Sequence, residues 1–149
     1  MLVAPGAQAS TGEQSTSCAF VATMKFKPGL VHGFNRLAFI KLKVHLSGCS
    51  GAVVKSAHGY GGSQGNLRCN SGQVSGRASA KAMLFWNTGD TSGLNFTFHF
   101  SGSRLNGRVL DSLFKGEQVT ATDFSLTPVQ GDCAESPLVL ATLTGTLRL

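Results

Sequence analysis

Apolar and polar residues alternate with a period of two along much of this chain. Cys18, Phe20, Ala22, Met24 and Phe26 share one parity, and Val21, Thr23 and Lys25 share the other. Residues 36–46 repeat the pattern, with Ala38, Ile40, Leu42, Val44 and Leu46 on one side and Lys41, Lys43 and His45 on the other. Successive side chains of a strand point to opposite faces, so both segments are predicted to be half-buried β-strands. Lys27-Pro28-Gly29 predicts a turn between them.

Residues 79–86 and 94–100 read as a hairpin, joined by the turn-forming run Asn87–Gly93. Asn106-Gly107 predicts a tight type I′ turn. Three more strands are expected at 108–114, 117–126 and 138–149. Val119 and Ala121 lie on one parity while Phe124 and Leu126 lie on the other, which predicts a bulge near Thr122-Asp123. The stretch 47–78 is rich in Gly and Ser. It is expected to be largely loop, with short strands or a helical turn at 52–57 and 67–69 and with Tyr60 on a flexible, exposed segment. Seven to nine short strands in all predict an all-β fold, either an antiparallel β-sandwich or a closed β-barrel. A single β domain is expected over residues 17–149.

Composition fits a folded, neutral-surfaced protein. Of 149 residues, 42% are hydrophobic and ten are Phe, which need burial. Only 13% are charged, against roughly 25% in an average protein. The net charge of +6 makes the chain basic. Its Lys and Arg residues are dispersed, however, and do not interleave with aromatics on any one strand, so no nucleic-acid partner is expected.

The four cysteines, Cys18, Cys49, Cys69 and Cys133, match no CxxC metal or redox motif. An even count in a small Gly/Ser/Thr-rich chain predicts two disulfides and an oxidising compartment. Three pairings are possible; Cys49–Cys69 and Cys18–Cys133 are the expected ones. The N-terminus carries Ala7-Gln8-Ala9, an A-x-A cleavage pattern behind a short apolar run. Residues 1–9 are read as a signal-peptide remnant and residues 10–16 as a flexible lead-in, which implies secretion. No stretch is long and apolar enough for a membrane-spanning helix.

With these features in place, the layout resembles small exported actinobacterial proteins of uncharacterised function. The residues that carry the resemblance are Cys18, Leu46-Ser-Gly-Cys49-Ser-Gly51, the Cys69 segment, Trp86-Asn-Thr-Gly89, Gly131-Asp132-Cys133 and the closing Ala141–Leu147 strand. The resemblance implies export and a β fold, and it supplies no activity.

Candidate chemistry is sparse. His32, His45, His58 and His99 form no HExxH or HxH pattern, so no metal or other cofactor is expected. His45 and His99 could meet only if their strands were neighbours. No GxSxG elbow is present. Asp90, Asp111, Glu117, Asp123, Asp132 and Glu135 are the available carboxylates, and Asp111 and Asp123 could approach each other if 108–114 and 117–126 pair. Gly59–Gly65 lacks a phosphate-loop pattern. Asn95-Phe96-Thr97 is a glycosylation sequon. Residues 82–86 (Ala-Met-Leu-Phe-Trp) are apolar on both parities, which fits a covered central strand or an exposed binding patch.

The favoured function is a secreted, non-catalytic binding or adaptor module that engages a protein partner or a cell-surface polymer. Its candidate binding residues are Tyr60, Arg68, Met83, Phe85 and Trp86. One alternative is a small extracellular hydrolase, which needs at least two of Asp111, Asp123, His45 and His99 in one pocket. Another is a β-barrel carrier of a small hydrophobic ligand, which needs an interior cavity.

Overall fold

The computed structural model describes residues 16–51 and 53–149. The signal-peptide remnant expected at 1–9 and all of the expected lead-in except Thr16 lie outside the described residues. Thr16 itself is buried, and its backbone exchanges two hydrogen bonds with Leu149.

Nine antiparallel strands form one sheet closed into a ring: β1 (Ser17–Leu30), β2 (Arg36–Ser50), β3 (Ala57–Asn70), β4 (Gln73–Trp86), β5 (Thr91–His99), β6 (Arg104–Ser112), β7 (Gln118–Ala121), β8 (Ser125–Gln130) and β9 (Leu138–Arg148). Strands β1 to β7 meander, each pairing with the next. β9 closes the ring by pairing with β1 on one side and with β7 and β8 on the other. Of the two architectures expected, the barrel is the one formed.

The expected bulge separates β7 from β8. Four residues span Ala121 to Ser125, while three span their partners Leu147 and Thr144. Asp123 takes up the difference in a left-handed conformation at φ 57°. Together β7 and β8 occupy one wall position, so the barrel has about the girth of an eight-stranded one, whose interior side chains fill.

The alternation read from the sequence sorts inside from outside. Met24, Ile40, Leu46, Leu84, Val109, Val119 and Leu143 are among the fully buried side chains. Phe98 stacks on Phe100 with ring centroids 5.1 Å apart, and Phe124 meets both edge-on. Three of the ten Phe residues, Phe34, Phe39 and Phe85, remain exposed. The inward positions are apolar and the outward ones largely polar, the inverse of a membrane-spanning barrel with its apolar outer belt. No helix among the described residues is long and apolar enough to cross a membrane.

Several local expectations are corrected. Lys27-Pro28-Gly29 lies inside β1, where the pairing with β9 jumps from Lys25↔Leu140 to Leu30↔Leu138. Asn106-Gly107 is mid-strand in β6, opposite Thr97 and Phe96. The chain instead reverses after β5 through a 3-10 turn at Phe100–Gly102, followed by Ser103 at φ 51°. The stretch 47–78 is mostly strand. The type I′ turn sits within it at Ser71-Gly72, where both φ values are positive and Asn70 pairs with Gln73.

The disulfides are Cys18–Cys49 and Cys69–Cys133, not the pairing expected. β1 and β2 run antiparallel with Ser17 opposite Ser50, which places Cys18 beside Cys49. Cys69 lies near the end of β3 and reaches the loop between β8 and β9. There Gly72 donates its N–H to Cys133 Sγ at 3.4 Å.

Candidate functional site

Among the described residues, the barrel interior is largely filled by apolar side chains. The void lined by Phe20, Leu42, Leu84, Phe98 and Leu143 measures about 50 Å³. Pockets for small molecules run to roughly 300–1,000 Å³. The interior is a packed core, as its Phe and Leu content dictates.

Asp111 does not approach Asp123, nor does His45 approach His99. Asp111 accepts the Gly93 N–H at 3.1 Å near the end of β6. Asp123 lies beside Ser103, at the opposite end of that strand. Eight residues of chain separate Ser103 from Asp111, which is about 26 Å along a strand. His45 faces His58 across β2 and β3, whereas His99 faces Arg77 and Arg104 across β4, β5 and β6. No group of three or more metal-ligating side chains occurs among the described residues.

A concavity lies on the outer wall. An open groove of about 1110 Å³ runs over β1 to β6. The inward positions of β3 and β4 are small here: Gly61, Ser63 and Gly65 on one strand, Ala78, Ala80 and Ala82 on the other. These small residues leave little side-chain bulk beneath this part of the wall. A Cβ on Gly61 would meet the Lys81 carbonyl oxygen and come within 2.8 Å of Ala82 Cα.

Strand register organises the groove into cross-strand rows. One row reads Lys25, Lys41, Gly62, Lys81, Asn95 and Arg108, each residue opposite the next on neighbouring strands. The row beside it reads Lys27, Phe39, Gln64, Ser79, Thr97 and Asn106. Lys25, Lys27, Lys41 and Lys81 therefore converge although up to 56 residues of sequence separate them. No carboxylate lines the groove, and these four lysines have no acidic partner among the described residues. Gly62 leaves the middle of the lysine row without a side chain. Arg108 turns its guanidinium toward the Gly116 carbonyl, donating at 3.3 Å.

Two polar atoms in the groove wall are buried without a hydrogen-bond partner, Ser63 Oγ and Asn95 Oδ1. Asn95 is half-buried on β5 between Lys81 and Arg108.

On the other side of the lysine row the outer face becomes aromatic. The next row reads Thr23, Lys43, Tyr60, Met83 and Gly93, and beyond it lie Val21, His45, His58, Phe85 and Thr91. His58 stacks on Phe85 with centroids 5.4 Å apart and planes at 19°. Tyr60 meets both edge-on, at 6.2 Å from His58 and 6.3 Å from Phe85. Exposure is 54% for Tyr60, 39% for Met83 and 38% for Phe85.

Three of the five binding candidates read from the sequence, Tyr60, Met83 and Phe85, are thus brought together. Arg68 is exposed near the far end of β3, opposite Ser75 and away from this cluster. Trp86 is 3% exposed and belongs to the core, where its Nε1 donates to Ser92 Oγ at 2.8 Å. The lysine row exists only through lateral pairing, which residue alternation does not specify. Its one trace in the sequence is the outward parity of Lys25 and Lys41.

A smaller cationic recess of about 500 Å³ follows at one end of the same wall, lined by Arg77, His99, Ser101 and Arg104. There His99 Nε2 lies 3.2 Å from Asn106 Oδ1. No protein-family model, curated protein or solved structure matches this chain.

Proposed function

We propose that this protein is a secreted, non-catalytic binding module that holds an anionic extracellular polymer in the outer groove. The observation that carries the reading is the row Lys25, Lys41, Gly62, Lys81, in which three cations lie across four strands with no carboxylate among them. Clustered like charge over a low-dielectric wall concentrates a positive field, which attracts and orients an anion. The gap at Gly62 lets a chain lie down against the sheet between Lys41 and Lys81. The two disulfides support an oxidising, extracellular setting. A packed interior directs binding to the outside.

The test separates this groove from general basicity. A Lys25→Gln, Lys41→Gln, Lys81→Gln variant is compared with Lys55→Gln, Arg68→Gln, Lys115→Gln, which removes the same charge elsewhere. Retention on an immobilised acidic polymer at physiological salt is measured for both. The groove variant is expected to lose affinity about tenfold or more and the control much less. Equal losses would mean that only net charge matters, and the reading would fail.

A further inference from the structure

We infer that the aromatic cluster beside the groove is a sugar-stacking subsite, so the anionic polymer is an acidic polysaccharide. The inference rests on the proposed anion-binding role of the groove and specifies its ligand. Tyr60, His58 and Phe85 are outward on adjacent strands, and each ring touches the other two. The contacts hold the rings in place, so little side-chain freedom remains to be lost on binding. Met83 lies directly opposite Tyr60 and extends the apolar surface. A pyranose ring offers a face of C–H groups, which suits the electron-rich face of an aromatic ring.

The cluster is contiguous with the cations. Lys43 is directly opposite Tyr60 on β2, and Lys41 lies one row further along. Two residues of strand span about 7 Å and adjacent strands are about 4.8 Å apart. Ring faces and negative charges must therefore alternate over short distances in the ligand. A chain of sugars bearing carboxylates does this, whereas a chain of phosphates alone offers no ring. Single-stranded nucleic acid also combines rings and charge, but it favours a succession of free aromatic faces. Here one face of Phe85 is covered by His58, and the other exposed ring of the groove, Phe39, lies beyond the lysine row. One platform beside a cationic track fits a polysaccharide better.

The experiment measures binding of the full chain to four probes: a polyuronate, neutral dextran, inorganic polyphosphate and oligothymidylate. Wild type is expected to bind the polyuronate more tightly than polyphosphate or oligothymidylate at equal charge concentration, and dextran least. Tyr60→Ala/Phe85→Ala should weaken polyuronate binding about tenfold while polyphosphate binding stays within about twofold. Tyr60→Trp should retain polyuronate binding. Tyr60→Ala alone, at an exposed position, decides the case if the double variant does not fold. Unchanged polyuronate binding, equal loss on polyuronate and polyphosphate, or tighter binding of oligothymidylate would each overturn the subsite. Polyphosphate binding that depends on Lys41 and Lys81 without polyuronate binding would overturn the subsite and leave the groove's anion-binding role standing. Indifference of both probes to the lysine substitutions would overturn that role as well.

Discussion

Lys25 and Lys41 stand directly opposite one another on β1 and β2. Both are exposed, and neither has a carboxylate partner among the described residues. Like charges in this position repel and destabilise a strand pair. Lys41→Gln is therefore expected to stabilise the fold by about 0.5 kcal/mol at low salt. The gain should vanish near 1 M salt, where the Debye length falls to about 3 Å. Thermal melts at the two ionic strengths measure it. The same variant should bind acidic polymer less well, placing stability and binding in opposition at one residue. A gain independent of salt would show that charge repulsion is not its source.

Gly61 and Gly62 are sequence neighbours on opposite faces of β3, and their substitution should give opposite signs. A methyl group on Gly61 would collide with the Lys81 carbonyl and the Ala82 backbone. Gly61→Ala is expected to cost about 2 kcal/mol or more, as overpacking does. At Gly62 the nearest atom to an added Cβ is the Ile40 carbonyl oxygen, 3.6 Å away. Gly62→Ala should stabilise by about 0.5 kcal/mol by restricting the unfolded chain. Urea unfolding of the two variants tests this contrast directly; equal effects would contradict it.

Legibility followed the chemistry of the inward positions. Where these are large and apolar, as at Phe20, Met24 and Phe26 or Ala38, Ile40 and Leu42, strand and parity could be read directly. β3 was hidden because its inward residues include Gly59, Gly61, Ser63 and Gly65, which carry no hydrophobic period. Asn106-Gly107 has turn chemistry, but Gly107 is small for another reason. A Cβ there would lie 2.5 Å from Phe96 Cα. The disulfide pairing and the lysine row share one obstacle. Both depend on which strands are lateral neighbours, and alternation fixes a strand's faces without fixing its partners.

The disulfides should contribute unequally. Cys69–Cys133 spans 64 residues and ties β3 to the loop before β9, whereas Cys18–Cys49 spans 31 and joins strands already paired. In the loop-entropy model each contributes about 4 kcal/mol, slightly more for the longer loop. The Cys69→Ala/Cys133→Ala variant is expected to lose more stability in guanidinium than Cys18→Ala/Cys49→Ala. Non-reducing peptide mapping should recover these two pairs. A Cys49–Cys69 peptide would contradict the β2–β3 register, which puts these two residues at opposite ends of the pair.

Asp132 gives the loop beside Cys133 a pH dependence. The N–H groups of Glu135 and Ala134 donate to its carboxylate and hold its pKa below the ordinary value. A carboxyl with a depressed folded-state pKa stabilises fully above the unfolded value and loses that contribution as pH falls through the folded one. Asp132→Asn keeps an acceptor oxygen and removes the titration. Below about pH 4 the variant's stability should therefore fall less steeply than that of wild type. Parallel acid limbs would show that the turn does not depend on the charge.

Ser92 links the core tryptophan to the sheet. Its Oγ accepts from Trp86 Nε1 at 2.8 Å and donates to the Leu113 carbonyl at 2.5 Å. Phe114, the residue after that carbonyl, packs edge-on against the Trp86 ring with centroids 5.4 Å apart. Ser92 is fully buried, so Ser92→Ala leaves the indole N–H and the carbonyl oxygen without this partner. An unsatisfied buried group costs about 1–3 kcal/mol, which sets the expected loss at about 2 kcal/mol or more. Trp86→Phe removes the donor and its desolvation together. Adding Ser92→Ala in that background should then cost less than it does in wild type. Unfolding free energies of the two single variants and the double variant measure the coupling. If the two losses add independently, the hydrogen-bond relay does not hold Trp86 in the core.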